Sequence, residues 1–328
     1  MSEDRAPVVA VMGVDETDPP PGIDRIAGIV ELRYAPDLEM LEGVISDADV
    51  IYSWWGRAQD LEAVWPKAVQ LRWVQAANVG VDGMLFRGLV ESDVILTNAG
   101  GAADRPIAES VVGFIVAMAK GFPRMFQDQQ AHVWGEYDTE RISGQRLLVV
   151  GPGPIGRAIA RACVLGLGMR AEAVGRRSRS GDADFERIRG VDDLPTAVAE
   201  ADVVVDALPL TPQTRRLFDP DVFASMKPTA RFVNIGRGGT VDEPALIAAL
   251  RTGRIAGAAL DVFEEEPLPA ESPLWDLANV IISPHTSGNV VGWQADFAAV
   301  FYDNVERWIA GHPLRNVVDK RLGFPAGT

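Results

Sequence analysis

The chain of 328 residues has one cysteine, three histidines and no apolar run reaching the roughly 18 residues that a membrane span needs. A single cysteine, Cys163, excludes an internal disulfide and a cysteine metal cluster. Its setting, Ala162-Cys163-Val164-Leu165, marks it as a small core residue, and no metal site is expected. Positive charge is also scarce. Lys and Arg number 31 against 46 Asp and Glu, for a net charge of −15 at pH 7. Such a chain is a poor partner for nucleic acid or an anionic membrane, so neither is expected. Any anion pocket must be built from local positive groups and backbone amides. Met1-Ser2-Glu3-Asp4-Arg5 lacks a basic region followed by an apolar one, so no secretory signal and a cytoplasmic location are expected.

What is present is regular. The length suggests two domains, because one core seldom grows beyond roughly 250–300 residues. Val8 to Val14, Val50 to Trp54, Leu71 to Ala76 and Val94 to Thr97 read as short strands, with a helical stretch at Asp60 to Ala68. Asn98-Ala99-Gly100-Gly101-Ala102-Ala103 is a hinge-like passage. Ile107 to Met118 is apolar nearly all round, so this helix is expected to be buried between domains or against a second subunit. Six further strands are expected at Arg146 to Val150, Arg170 to Val174, Val203 to Leu208, Arg231 to Ile235, Ile255 to Leu260 and Val280 to Ser283, making a doubly wound parallel sheet. Ala295 to Ala310 then shows the spacing of a helix with one buried face, free to return to the first lobe. The expected domains are therefore residues 1–99 with 291–328, and residues 100–290.

Gly151-Pro152-Gly153-Pro154-Ile155-Gly156 follows a strand and opens a helix, the context in which G-x-G-x-x-G seats a pyrophosphate on helix amides. Past the next strand, an acidic residue is usual in an NAD site. Here Val174-Gly175-Arg176-Arg177-Ser178-Arg179 offers arginines instead, which suit a 2′-phosphate. NADP(H) is expected over NAD(H). Arg237 stands in a glycine-rich turn after the strand Arg231 to Ile235, where its planar fork can grip a carboxylate. Carboxylates come after the next strand, in Asp261-Val262-Phe263-Glu264-Glu265-Glu266-Pro267. His285 comes after the last strand and is the only histidine at a strand's carboxyl end.

The segments N-I-G-R-G-G-T-V-D, L-D-V-F-E-E-E-P and S-P-H-T-S-G together resemble the D-isomer-specific 2-hydroxyacid dehydrogenase family. The likeness extends to Leu208-Pro209-Leu210-Thr211-Pro212, to Asn78-Val79-Gly80-Val81-Asp82 and to the glycine fingerprint, and so covers essentially the whole chain. It implies an α/β fold of two Rossmann-like or flavodoxin-like domains, each a doubly wound parallel sheet, with a cleft between them. It implies His285 as general acid-base, Glu266 as its carboxylate partner and Arg237 as the residue binding the substrate carboxylate. Backbone amides of Val79 and Gly80 would meet that carboxylate, and Asp261 would lie near the nicotinamide carboxamide. Gly151, Gly153, Pro154, Ile155, Gly156, Arg176, Arg177, Leu208, Pro209, Ile235, Gly236, Ser287 and Gly288 would line the cofactor site. A homodimer is implied too.

Three positions depart from the family's habit: Asn78, Gly100, and Asp104 where a threonine often faces the cofactor. The implied activity is hydride transfer between NADPH, or NADH, and a small 2-oxo acid, similar to glyoxylate/hydroxypyruvate reductases. Tyr52-Ser53-Trp54-Trp55 at the end of a first-lobe strand raises a second possibility, with Trp54 lining a pocket for a bulkier 2-oxo acid. A corepressor-like dinucleotide sensor is the distant alternative.

Overall fold

Apolar runs with no polar alternation belong to strands covered on both faces, and the first unit of the chain is built on four of them. The computed structural model describes residues 5–180 and 182–325. They fall into two compact units, Met1–Ala103 with Val290–Thr328, and Asp104–Asn289. In the first unit, β1 (Val8–Met12), β2 (Glu31–Ala35), β3 (Val50–Ser53), β4 (Trp73–Ala76) and β5 (Ile95–Thr97) form a parallel sheet in the order β2-β1-β3-β4-β5. Strand β2 did not stand out in the sequence because it is an edge strand, with Glu31 exposed and Leu32 to Tyr34 half-buried. The helix Trp293–Ile309 buries Phe297, Phe301, Tyr302 and Val305 in this unit. Phe301 stacks on Tyr52 of β3 with ring centroids 3.9 Å apart and tilts against Trp73 of β4.

The second unit starts with α1 (Asp104–Ala119) and α2 (Phe122–Gln130), then β6 (Arg146–Val150), α3 (Pro154–Leu167) and β7 (Arg170–Gly175). Its sheet continues with β8 (Ile188–Gly190), β9 (Val203–Asp206), β10 (Arg231–Asn234), β11 (Gly257–Leu260) and β12 (Val280–Ile282). The order is β12-β11-β10-β9-β6-β7-β8, with every pairing parallel. Among the described residues this sheet has seven strands where six were expected. The extra one, β8, is only Ile188-Arg189-Gly190 at the sheet's edge and carries no apolar run. Helix α1 is only partly buried within the chain. It buries one face through Ile107, Ala108, Val111 and Ile115 and packs on α3, while Val112, Phe114, Val116 and Met118 stay half-exposed. Among the described residues, no single helix is long and apolar enough to cross a membrane.

A buried polar network fixes the last helix to the first sheet. Asn304 is fully buried; its Nδ2 donates to Gln75 Oε1 at 3.2 Å and to the Arg315 carbonyl at 3.1 Å. Its Oδ1 accepts from the Arg315 amide at 2.8 Å. Gln75 Oε1 also accepts from Thr97, whose hydroxyl accepts in turn from the Trp73 indole, so the network runs from the helix across β4 and β5. Each member is satisfied only while the others stay in place. Asn304→Ala is expected to destabilise this unit by about 2–4 kcal/mol, through a cavity and newly orphaned polar groups. The urea midpoint of a probe in that unit, such as Trp73 fluorescence, checks this; an unchanged midpoint would contradict it.

Candidate active site

The register of the second sheet sets where side chains emerge. Asn234 of β10 lies opposite Asp206 of β9 and Leu260 of β11, and Leu260 lies opposite Ile282 of β12. Four strands therefore end in line, and the loops after them start from one edge. Ligands in open parallel sheets bind along that edge.

After β10 the chain turns through Gly236-Arg237-Gly238. Asn234 holds the turn from both sides: its Oδ1 accepts from the Gly236 amide at 3.0 Å and its Nδ2 donates to the Arg237 carbonyl at 3.2 Å. Gly238 is packed so tightly against the Phe263 carbonyl that a Cβ there would collide with backbone. Arg237 is half-buried, and its Nη1 donates to the Gly236 carbonyl at 2.8 Å.

After β11 comes Asp261, buried and bonded throughout. Its Oδ1 accepts from Ser283 Oγ at 2.6 Å and from the Thr286 amide at 2.9 Å, and its Oδ2 accepts from Ser287 Oγ at 2.5 Å. Asp261 thus anchors the loop 283–287, which carries His285. The family resemblance implies a place beside the nicotinamide for this aspartate; here both of its oxygens are engaged by the loop. His285 itself has φ 54°, an uncommon left-handed conformation for a side chain of its size. Its Nδ1 is 2.7 Å from Glu266 Oε2, and the other Glu266 oxygen accepts from the Phe263 amide at 2.9 Å. With Nδ1 engaged, Nε2 is the nitrogen left to exchange a proton with a ligand. The imidazole is half-exposed.

The glycine fingerprint has the geometry a dinucleotide requires. A Cβ on Gly151 (φ 106°) would approach the Ala207 carbonyl to 2.7 Å, and one on Gly156 would strike the Gly151 carbonyl. Gly153 has nothing within 4 Å of that position, leaving open space before Pro154 and Ile155 at the start of α3. The three glycines thus serve a tight turn, an open approach and close helix packing. The residues present fit a bound dinucleotide. Leu208-Pro209 and Gly236 adjoin, since a Cβ on Gly236 would meet the Leu208 carbonyl at 2.6 Å. Ile235 and Ser287 are buried at the same edge, and the Ser287 carbonyl, just before Gly288, accepts from Ser110 Oγ.

Arg176 and Arg177 are exposed directly after β7. The loop beyond them holds a charge cluster with no warning in the sequence. Asp182 and Asp184 are nearly buried and clamped by arginines of α3: Arg157 bonds both at 2.8 Å, and Arg161 bonds Asp184 at 2.5 Å. The Arg157 guanidinium holds the Asp182 carboxyl well below the usual carboxylate range, and Arg161 lowers that of Asp184. Acids and bases 25 residues apart give no local signal of pairing. The buried pair Asp206 and Thr240, 34 positions apart, is unmarked in the sequence for the same reason.

In the first unit, Val79 and Gly80 are half-buried in the loop after β4, which Asn98 secures through the Val79 carbonyl at 2.5 Å. Trp54 is a correction. It is only 4% exposed and packs between Tyr52 and Trp55, so it belongs to the core. Trp55, 51% exposed, is the accessible tryptophan of the pair. It lines a cavity of about 240 Å³ with Met12, Gly13, Asp37, Arg57 and Asp60.

Residues 112–287 match the model of the D-isomer specific 2-hydroxyacid dehydrogenase NAD binding domain. The chain belongs to the D-isomer-specific 2-hydroxyacid dehydrogenase family, a family of NAD(P)-dependent oxidoreductases. It is 33% identical over 304 residues to the D-3-phosphoglycerate dehydrogenase of Methanocaldococcus jannaschii, covering 89% of this chain but spanning only 56% of that protein. It is 34% identical over 260 residues to the glyoxylate/hydroxypyruvate reductase B of Pectobacterium carotovorum, covering 78% of this chain and 81% of that one. Among solved structures, the D-isomer specific 2-hydroxyacid dehydrogenase of Xanthobacter autotrophicus, in complex with NADPH and MES, superposes with a TM-score of 0.80 at 28% identity, covering 98% and 100% of the two chains. Nicotinamide dinucleotide binding and the two-sheet α/β fold accord with this membership.

The Glu266–His285 contact can be tested alone. In Glu266→Gln the amide can donate to Nδ1 and so favour the wrong tautomer. The turnover number of dinucleotide-linked 2-oxo acid reduction is expected to fall by roughly a hundredfold, with far less change in cofactor binding. Steady-state kinetics beside a cofactor fluorescence titration separates the two effects. Unchanged turnover would remove Glu266 from the mechanism.

Proposed function

We propose that this chain reduces a small 2-oxo acid of the glyoxylate or hydroxypyruvate class, using NADPH in preference to NADH. The observation that carries the reading is the His285–Glu266 pair at 2.7 Å on the sheet edge that also bears the Arg237 turn. The reductase of Pectobacterium carotovorum has that substrate class in its name, and the Xanthobacter autotrophicus enzyme was crystallised with NADPH. When bound, the nicotinamide supplies a hydride to the 2-oxo carbon. His285 gives its Nε2 proton to the oxygen as charge builds there, and Glu266 orients the ring and stabilises the imidazolium form from which that proton leaves. Arg237 grips the substrate carboxylate with its fork and keeps the carbonyl oriented. Amides of Val79 and Gly80 add donors to that carboxylate. The unit formed by residues 1–99 and 291–328 serves as the substrate domain, and residues 100–290 as the dinucleotide domain.

Arg176 and Arg177 support the cofactor preference, since a guanidinium pairs with a 2′-phosphate and no carboxylate stands beside them in sequence to repel it. A bulkier 2-oxo acid is a second reading, favoured by exposed Trp55 and the cavity it lines. The half-exposed apolar face of α1, with exposed Phe126 and Trp134 after it, supports a homodimer.

Oxidation of NADPH and NADH with 2-oxo acids from glyoxylate to phenylpyruvate tests these readings together. The KM for NADPH is expected to lie well below that for NADH, and the double substitution Arg176→Ala, Arg177→Ala is expected to raise only the former, by roughly 10–100-fold. Equal constants for the two cofactors would overturn the preference. His285→Ala is expected to abolish turnover while NADPH still binds; retained turnover would overturn the acid-base role.

A further inference from the structure

Asp206 ends β9 fully buried, flanked in register by Val150 of β6 and Asn234 of β10. Its Oδ1 accepts from the Leu208 amide at 2.9 Å. Its Oδ2 lies 2.5 Å from the hydroxyl of Thr240, which is also fully buried. The same hydroxyl lies 2.5 Å from the Arg237 carbonyl. Three oxygens thus stand in a row: carboxyl, hydroxyl, carbonyl.

Two such contacts require two protons, and Thr240 has one to give. The carbonyl has none. If Thr240 donates to Asp206, its oxygen meets the Arg237 carbonyl lone pair against lone pair. If it donates to the carbonyl, an ionised Asp206 meets it in the same way. Only a proton on Asp206 satisfies both contacts, with the carboxyl donating to Thr240 and Thr240 donating to Arg237.

We propose that Asp206 is a neutral, proton-bearing positioning residue that fixes the Arg237 turn through Thr240 and ties it, through Leu208, to the loop after β9. Loss of that proton leaves the Arg237 carbonyl without its hydroxyl donor and loosens the turn. The consequence for substrate rests on the proposed role of Arg237. The charged side chains on the neighbouring segments are Arg237 itself, then Arg216, Asp242 and Glu264, which pair among themselves. None of them sets the ionisation of Asp206. Burial pushes its carboxyl up from an ordinary 3.8 to about 7, opposed only by the bonds from Thr240 and Leu208. The folded chain therefore keeps a proton that the unfolded chain releases near 4. Its contribution to stability is present below about pH 4 and is lost as pH rises towards about 7.

The test compares wild type with Asp206→Asn, whose amide can donate to Thr240 while its oxygen accepts from Leu208. An infrared difference spectrum at about pH 6 should contain the carbonyl stretch of a protonated carboxyl, gone by about pH 8.5. No such band at the lower pH overturns the proposal, whatever the kinetics. At saturating NADPH, the wild-type KM for glyoxylate should rise about tenfold over that range beyond any rise in Asp206→Asn. Identical pH slopes overturn the positioning role even if the band is present. If Arg237→Lys leaves the KM unchanged while the band persists, the reading of Arg237 falls and the neutral carboxyl stands. Should Asp206→Asn not fold, the isotope shift of the band in wild type labelled with 13C-aspartate reads the same proton.

Discussion

The constraint on which the site depends is the common register of four parallel strands. Because Asp206, Asn234, Leu260 and Ile282 pair in sequence across β9 to β12, their loops begin within one to three strand spacings of each other. A slip of one residue in β10 would reverse its faces and carry Asn234 away from the Arg237 turn. The strands themselves hold no chemistry. They fix the starting points of the loops that do.

Buried polar groups then do what hydrophobic packing cannot, which is to choose one conformation for each loop. Asp261 gathers Ser283, Thr286 and Ser287, and Asn234 with Thr240 holds the Arg237 carbonyl, while the more exposed Glu266 holds His285. The buried ones are costly to leave half-satisfied, so their loops are strongly specified. The left-handed backbone of His285 is tolerated on the same account, with Asp261 overdetermining the residues around it.

Much of this was legible in the sequence. Val8 to Met12 and Leu147 to Val150 announce doubly covered strands because nearly every side chain there is apolar. Gly151, Gly153 and Gly156 announce a ligand because they sit between a strand and a helix. Edge strand β2 was silent because its exposed and half-buried side needs no apolar run, and β8 because its three residues include a buried arginine and a glycine. Trp54 and Trp55 are alike as letters, and only the fold distinguishes core from surface. The pairs Asp206–Thr240 and Arg157–Asp182 join residues 34 and 25 positions apart, and nothing local marks either partner.

The path of the chain carries a consequence for its synthesis. The first sheet is closed by the helix Trp293–Ile309, and the bond between Asn304 and Gln75 spans 229 residues. The second unit is one continuous segment, Asp104–Asn289, and lies wholly inside that span. On the ribosome, β1 to β5 emerge before the second unit yet lack their covering helix until the whole of that unit has been made. This sheet is thus made before the second unit and completed only after it, and its apolar face must wait exposed in the interval.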